Sequence, residues 1–219
     1  MEEDPRVIFG DAFSFRRGIL HAEGCSTVRL AERFGTPLFV YSLRHLSEQI
    51  AAVRGAFSPV SHMICYSVKA NPNLGILREV RRQGLGADVV SGGELRRALL
   101  AGFSPGKIVF AGAGKTEEEI GYAVRAGIFA FTVENPGELL LIDKHARQAG
   151  RVVSCCVRLN LDIAVDTHHY VSTGHHRAKF GMDLPTAASV IRRWSAKGGA
   201  RVRGVHFHLG SGISEPSPY

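Results

Sequence analysis

Two hydrophobic textures alternate along most of this chain. Short apolar runs such as Met63–Val68 and Val152–Leu159 are bounded by turn residues, as in strands buried on both faces. The stretches between them carry apolar residues at three- and four-residue spacing, which predicts amphipathic helices. In order, the predicted strands are Met63–Lys69, Ala87–Ser91, Lys107–Ala111, Phe129–Glu134, Val152–Leu159 and Arg203–Leu209. The predicted helices are Leu74–Gln83, Gly93–Ala101, Thr116–Ala126, Pro136–Ala149 and Leu184–Lys197. Repeated βα units with short turns require a parallel sheet, and this succession predicts an α/β fold, a (β/α)8 TIM-type barrel. Such a barrel needs about two further units to close, so the expectation is an incomplete barrel.

Ahead of these units, residues 1–35 read as an N-terminal extension, with a hairpin around Arg17-Gly18 and a short helix Val28–Phe34 ended by Gly35. Residues 36–219 are then the barrel portion, entered by a predicted strand Thr36–Tyr41, with Ser42 capping the helix that follows. Asp162–Met182 is the longest irregular stretch, polar and rich in histidine. Loops of that length are usually functional or disordered.

Composition narrows the function classes. No apolar run reaches 18 residues and the start, Met1-Glu2-Glu3-Asp4, is acidic, so neither a membrane span nor a secretory signal is expected and the chain reads as cytoplasmic. Cys25, Cys65, Cys155 and Cys156 show no Cys-x-x-Cys spacing, and an adjacent pair on a strand points to opposite faces, so the thiols are expected reduced. The net charge of +7 comes from scattered arginines rather than a basic stripe interleaved with aromatics. Anionic small molecules fit that pattern better than nucleic acid.

Several polar residues at strand ends could carry chemistry. Lys69 follows an apolar run and precedes Asn71-Pro72-Asn73. A buried ammonium is costly, which favours the neutral, nucleophilic amine; a solvated lysine at a strand end is the alternative. Ser91-x-x-Glu94 is a capping box, and Gly92-Gly93 leave backbone N–H groups open to a ligand. Gly114-Lys115-Thr116 suggests a P-loop, but the pattern needs glycine where this chain has Val109. Arg158 could fix a carboxylate or form a salt-bridged strand terminus. His206 and His208 fall on one face of a strand, as in a buried pair or a metal site. The pairs His168-His169 and His175-His176 lack a carboxylate or cysteine at ligand spacing, so no metal is expected.

Tyr66-Ser67-Val68-Lys69-Ala70-Asn71-Pro72-Asn73 resembles the cofactor-lysine motif of the fold-type III decarboxylases dependent on pyridoxal 5'-phosphate (PLP). This is the ornithine/diaminopimelate/arginine group, whose barrel is of the alanine racemase type. Further blocks follow in order: Asp88–Leu95, Gly112–Lys115, Arg158-Leu159-Asn160, His168–Gly174 with Lys179-Phe180-Gly181-Met182, and Gly204–Gly212. Gly35-Thr36-Pro37-Leu38 precedes them, and the diaminopimelate decarboxylases are the most similar branch. The resemblance implies that Lys69 holds PLP as an internal aldimine, that His208 stacks on its ring and that Ser211 bonds near its phosphate. Lys69 and His208 are then the expected catalytic residues, with Asp88 and Arg158 as further cofactor contacts. It implies decarboxylation of a small amino acid, meso-diaminopimelate to lysine and CO2, by an enzyme that is a homodimer at full length. Ornithine, lysine, arginine or carboxynorspermidine are alternative substrates. The alternative reading of the chain is an inactive fragment or regulatory paralogue that pairs with a full-length subunit. Ala178 stands where the family usually has serine, and Gly212 where it commonly has glutamine. The family's later Gly-rich phosphate turn, its ring-nitrogen acid and its C-terminal β-domain have no counterpart in this sequence.

Overall fold

The computed structural model describes residues 12–161, 180–196, 198–211, 213 and 217. The blocks at 168–174, with Ala178, Lys179 and Gly212, lie outside the described residues. The chain divides into two compact units, Met1–Ile64 and Cys65–Tyr219.

In the first unit, β1 (Phe13–Arg16) and β2 (Ile19–Ala22) pair antiparallel, and β3 (Cys25–Ser26) pairs with β2. The β1–β2 connection is the expected hairpin at Arg17-Gly18, both residues having positive φ, the conformation that matches strand twist in a two-residue turn. Helix α1 (Thr27–Phe34) starts on Ser26, whose hydroxyl accepts from the Arg29 N–H. Helix α2 (Leu43–Phe57) starts on Ser42, which accepts from the His45 N–H as expected. The Ser42 hydroxyl in turn donates to Glu23 Oε1 at 2.6 Å. Residues 36–41, expected as a strand, form none. Among the described residues no strand offers them a ladder, Pro37 has no N–H to give one, and Phe39 is 84% exposed.

The second unit is one sheet of six parallel strands in the order β4-β5-β6-β7-β8-β9. These are β4 (Cys65–Ser67), β5 (Gly86–Val89), β6 (Ile108–Phe110), β7 (Ala130–Val133), β8 (Val153–Arg158) and β9 (Ala200–His206). Between them run α3 (Leu74–Arg82), α4 (Gly92–Leu100), α5 (Glu117–Ala126), α6 (Pro136–Gln148) and α7 (Leu184–Trp194). Strict neighbour order with a helix between successive strands is how a (β/α) barrel is built, and it agrees with the expected architecture.

Burial follows the predicted periodicities. All four residues of β7 are buried, as in a strand covered on both faces. Ile120, Ala123 and Val124 of α5, and Leu139, Ile142 and Ala146 of α6, face the sheet. Phe110 and Phe131 stack across β6 and β7 with ring centroids 5.8 Å apart. Each large side chain so buried contributes about 1.5–3 kcal/mol. Among the described residues no helix is long and apolar enough to cross a membrane, and all four cysteines are free thiols.

Candidate active site

The C-terminal ends of parallel barrel strands are where such folds gather chemistry, and the charged residues here collect there. Strand β4 ends at Ser67, two residues before the expected end, and Val68–Ala70 form a 3-10 turn. Lys69 therefore sits in a turn with its side chain exposed, not at the tip of a buried strand. The β4–β5 ladder stops at Ser67 and Asp88, so nothing holds the next residues extended. No described residue hydrogen-bonds to Lys69, although its charge is felt by both Asp88 and His208.

Asp88 lies within β5, half-buried, and its Oδ2 accepts from the Ser67 hydroxyl at 3.1 Å. Burial pushes its carboxyl above the ordinary value; the Ser67 hydrogen bond and the Lys69 charge pull it back, and Glu94 pushes it up. Ser91 caps α4 through the Glu94 N–H at 3.2 Å. Glu94 reaches back past the cap to the Val90 N–H at 2.9 Å, so the reciprocal half of the expected capping box is not formed. The Gly92 N–H is not open to a ligand either, because Glu119 Oε1 accepts it at 2.7 Å.

After β6 the chain turns through Gly112 and Gly114, both at positive φ, into the buried Lys115. Its ammonium donates to the carbonyls of Gly112 (2.5 Å) and Thr132 (2.7 Å) and meets Glu138 Oε2 at 3.4 Å. Burial lowers this ammonium's pKa, against the pull of Glu138. A lysine committed to two carbonyls and a carboxylate is a brace between β6 and β7, which removes the P-loop on geometry as well as spacing.

Arg158, the last residue of β8, donates from Nη1 to Glu134 Oε1 at 2.6 Å; Glu134 is buried and Arg158 partly so. The salt-bridged terminus is therefore the arrangement observed. The guanidinium also lies over the Phe180 ring, 5.2 Å from its centroid. The chain returning at Met182 bridges to Leu159 in parallel, with Met182 N–H donating to the Arg158 carbonyl at 2.8 Å. Gly181 is at φ +82, and a Cβ there would stand 3.0 Å from the Arg158 carbonyl oxygen, so this close return needs glycine.

His206 ends β9 opposite Arg158 in the β8–β9 register, and His208 lies two residues beyond the strand. Burial, then the Arg158 charge, lower His206 to about 4, and its buried Nδ1 has no partner among the described residues. The exposed His208 is lowered by burial of its ring, then by Arg158 and Lys69. Ser211 is exposed, with no hydrogen bond to a described residue. Among the described residues no group of three His, Cys, Asp or Glu side chains could hold a metal.

The structure thus places Lys69 within electrostatic reach of both Asp88 and His208, and Arg158 within reach of His208. Glu134 and Glu138 were not singled out from sequence, and Lys115 only as part of a P-loop-like turn. The available signal was Glu134 itself, an acid ending the apolar run Ala130-Phe131-Thr132-Val133 just as Arg158 ends β8. Chemically, an unengaged primary amine can hold an aldehyde covalently. A nearby imidazole can face a flat ring, and a guanidinium can bind an anion. The residues present therefore fit an aldehyde cofactor of the pyridoxal kind.

Residues 43–219 match the family of the pyridoxal-dependent decarboxylase, pyridoxal binding domain. The chain is 41% identical over 209 residues to the diaminopimelate decarboxylase of Pseudomonas aeruginosa, covering 95% of this chain and 50% of that one. The corresponding protein of Aquifex aeolicus is 42% identical over 205 residues, covering 94% and 48%. The crystal structure of the M. jannaschii diaminopimelate decarboxylase in complex with L-lysine superposes with a TM-score of 0.87 at 36% identity, covering 95% of this chain and 50% of that chain. The chain spans about half the length of the relatives it matches. Ordered motifs, six parallel strands and these matches agree: the chain belongs to the PLP-dependent decarboxylases of fold type III, of which it carries the pyridoxal-binding barrel portion.

Proposed function

We propose that this chain is the cofactor-holding part of a decarboxylase that converts meso-diaminopimelate to lysine and CO2. The observation that carries the reading is the amine of Lys69 at the strand ends, engaged by no described residue, with Asp88 and His208 sensing its charge and His208 also that of Arg158. The L-lysine bound in the M. jannaschii relative is the product such a reaction gives.

In this reading Lys69 would hold the cofactor covalently and His208 would face its ring. Arg158 offers its guanidinium to an anionic group, and Ser211 is assigned to the phosphate. Asp88 holds the Ser67 hydroxyl beside the lysine. Bound there, PLP supplies an electron sink for the bond broken when the α-carboxylate leaves as CO2. The depressed pKa of His208 keeps its imidazole neutral at physiological pH, so it contributes a ring face rather than a second cation. The enzyme acts in the cytoplasm and pairs as a homodimer when complete.

The half-length coverage favours a second reading, in which the chain binds PLP but turns over only with a further polypeptide. One titration separates these. The 219-residue chain is titrated with PLP, the absorbance of the covalent lysine adduct is followed, and borohydride makes it permanent. The band is expected in the wild type and lost in Lys69→Ala. Its absence from folded wild-type protein would overturn the assignment of Lys69. Release of CO2 from meso-diaminopimelate by the same sample supports the first reading; an adduct without CO2 release supports the second.

A further inference from the structure

One buried acid at this end of the barrel has no assigned role. Glu134 follows β7 directly, is 6% exposed, and spends both carboxylate oxygens on different elements. Its Oε1 accepts from Arg158 Nη1 at 2.6 Å, and its Oε2 accepts from the Gly181 N–H at 2.9 Å. Its own N–H donates to Glu138 Oε2 at 2.9 Å, and Glu138 is held in turn by Lys115. Both ends of Glu134 are therefore fixed, its backbone from α6 and its carboxylate from β8 and the chain returning at Gly181. Among the described residues this part-buried ion pair is monodentate, which leaves the rest of the guanidinium fork for another anion.

We propose that Glu134 is the positioning residue of this site: it seats the Arg158 guanidinium beside His208 and locks the Gly181 backbone against the end of β8. The role of Arg158 toward the cofactor rests on the functional reading above; the seating of Arg158 by Glu134 does not. Glu134 touches neither cofactor nor substrate and acts through Arg158. A side chain that merely balanced charge would leave the guanidinium in place when removed. One that positions it would release it.

The titration of His208, followed by NMR in the chain without cofactor, reads this directly, because Arg158 is one of the charges that holds His208 below its ordinary value. Glu134→Met keeps volume but offers no acceptor. It is expected to raise the His208 midpoint to that of Arg158→Met, with the double variant no different from Arg158→Met. A lower midpoint would show that the guanidinium stays in place with its countercharge gone, and an unchanged one that Glu134 is irrelevant to it; either overturns the proposal. If Glu134→Met does not fold, Glu134→Gln serves, since an amide offers one acceptor where the carboxylate offers two, and a partial rise is expected. With PLP added, Glu134→Met is expected to weaken retention of the adduct by roughly tenfold, the size of a lost charged hydrogen bond. That loss should vanish in the Arg158→Met background, and a loss of equal factor in both backgrounds counts against action through Arg158. If no adduct forms even in the wild type, the functional reading fails while the His208 comparison still decides the role of Glu134.

Discussion

His206 shows how strongly the end of the sheet controls a single protonation. Burial, then Arg158, lower it, Glu134 opposes them, and His208 and Lys115 add to the lowering, giving a pKa of about 4. Below pH 6.5 the unfolded chain takes up a proton on this ring that the folded chain refuses until about pH 4. The unfolded state then binds more protons, so stability falls as pH falls across that window and is unaffected by this group above it. Replacing His206 with asparagine, which cannot titrate, should flatten that part of the profile. Urea midpoints of both proteins at pH 7, 5.5 and 4.5 measure it. The two curves should converge toward acid, and parallel curves would mean the ring is no more protected than in the unfolded chain. Lys69 carries the opposite lesson at the same scale. Its place after an apolar run was legible, but the choice between a buried and a solvated amine was not, because that depends on the ladder with β5 ending at Ser67 and leaving Lys69 in an exposed turn.

At the scale of elements, the junctions between strands and helices repeat one device. Ser91 and Asn135 cap α4 and α6, and the acids three residues on, Glu94 and Glu138, reach back to the N–H groups of Val90 and Glu134. The strand starts are as tightly specified. A Cβ on Gly86, at the head of β5, would press on the Lys107 carbonyl oxygen and stand 2.8 Å from Cys65 Sγ. Gly86→Ala should therefore destabilise the barrel portion by about 1–3 kcal/mol. Gly55 in α2 has nothing within 4 Å of such a Cβ, and Gly55→Ala should stabilise its helix by roughly 0.5–1 kcal/mol. Denaturant titrations of the two variants should shift in opposite directions; equal shifts would show that close approach at Gly86 is not the cause. These elements also mark what could be read in advance. Apolar runs located all six barrel strands, since buried strands must be apolar on both faces. Their ends moved by one to three residues, because ladder partners set strand ends and the local pattern does not contain them. The same limit explains Thr36–Tyr41, apolar enough for a strand but without a partner among the described residues. It also explains Glu134, whose importance lies in Arg158 and Gly181, 24 and 47 residues away.

At the scale of the whole molecule, the consequential feature is that the six-stranded sheet of the described residues has two ends. Among the described residues β4 pairs only with β5, and β9 only with β8. An open edge is a row of backbone donors and acceptors that another chain can pair with. The two edges are unequal, because β4 is three residues long and β9 seven. The longer edge also carries exposed apolar side chains, Val205 on the strand and Phe207 just beyond it. Self-association of the 219-residue chain should therefore run through β9. A charge is a common device for blunting an edge, so Val205→Lys should weaken association. Val152→Lys is the matched control, being equally exposed but next to β8, which has neighbours on both sides. Sedimentation velocity over a hundredfold concentration range tests this. The wild type and Val152→Lys should show a sedimentation coefficient that rises with concentration, and Val205→Lys should rise less. Equal behaviour of the two lysine variants would place the association elsewhere, and a concentration-independent monomer would mean that these edges are already protected.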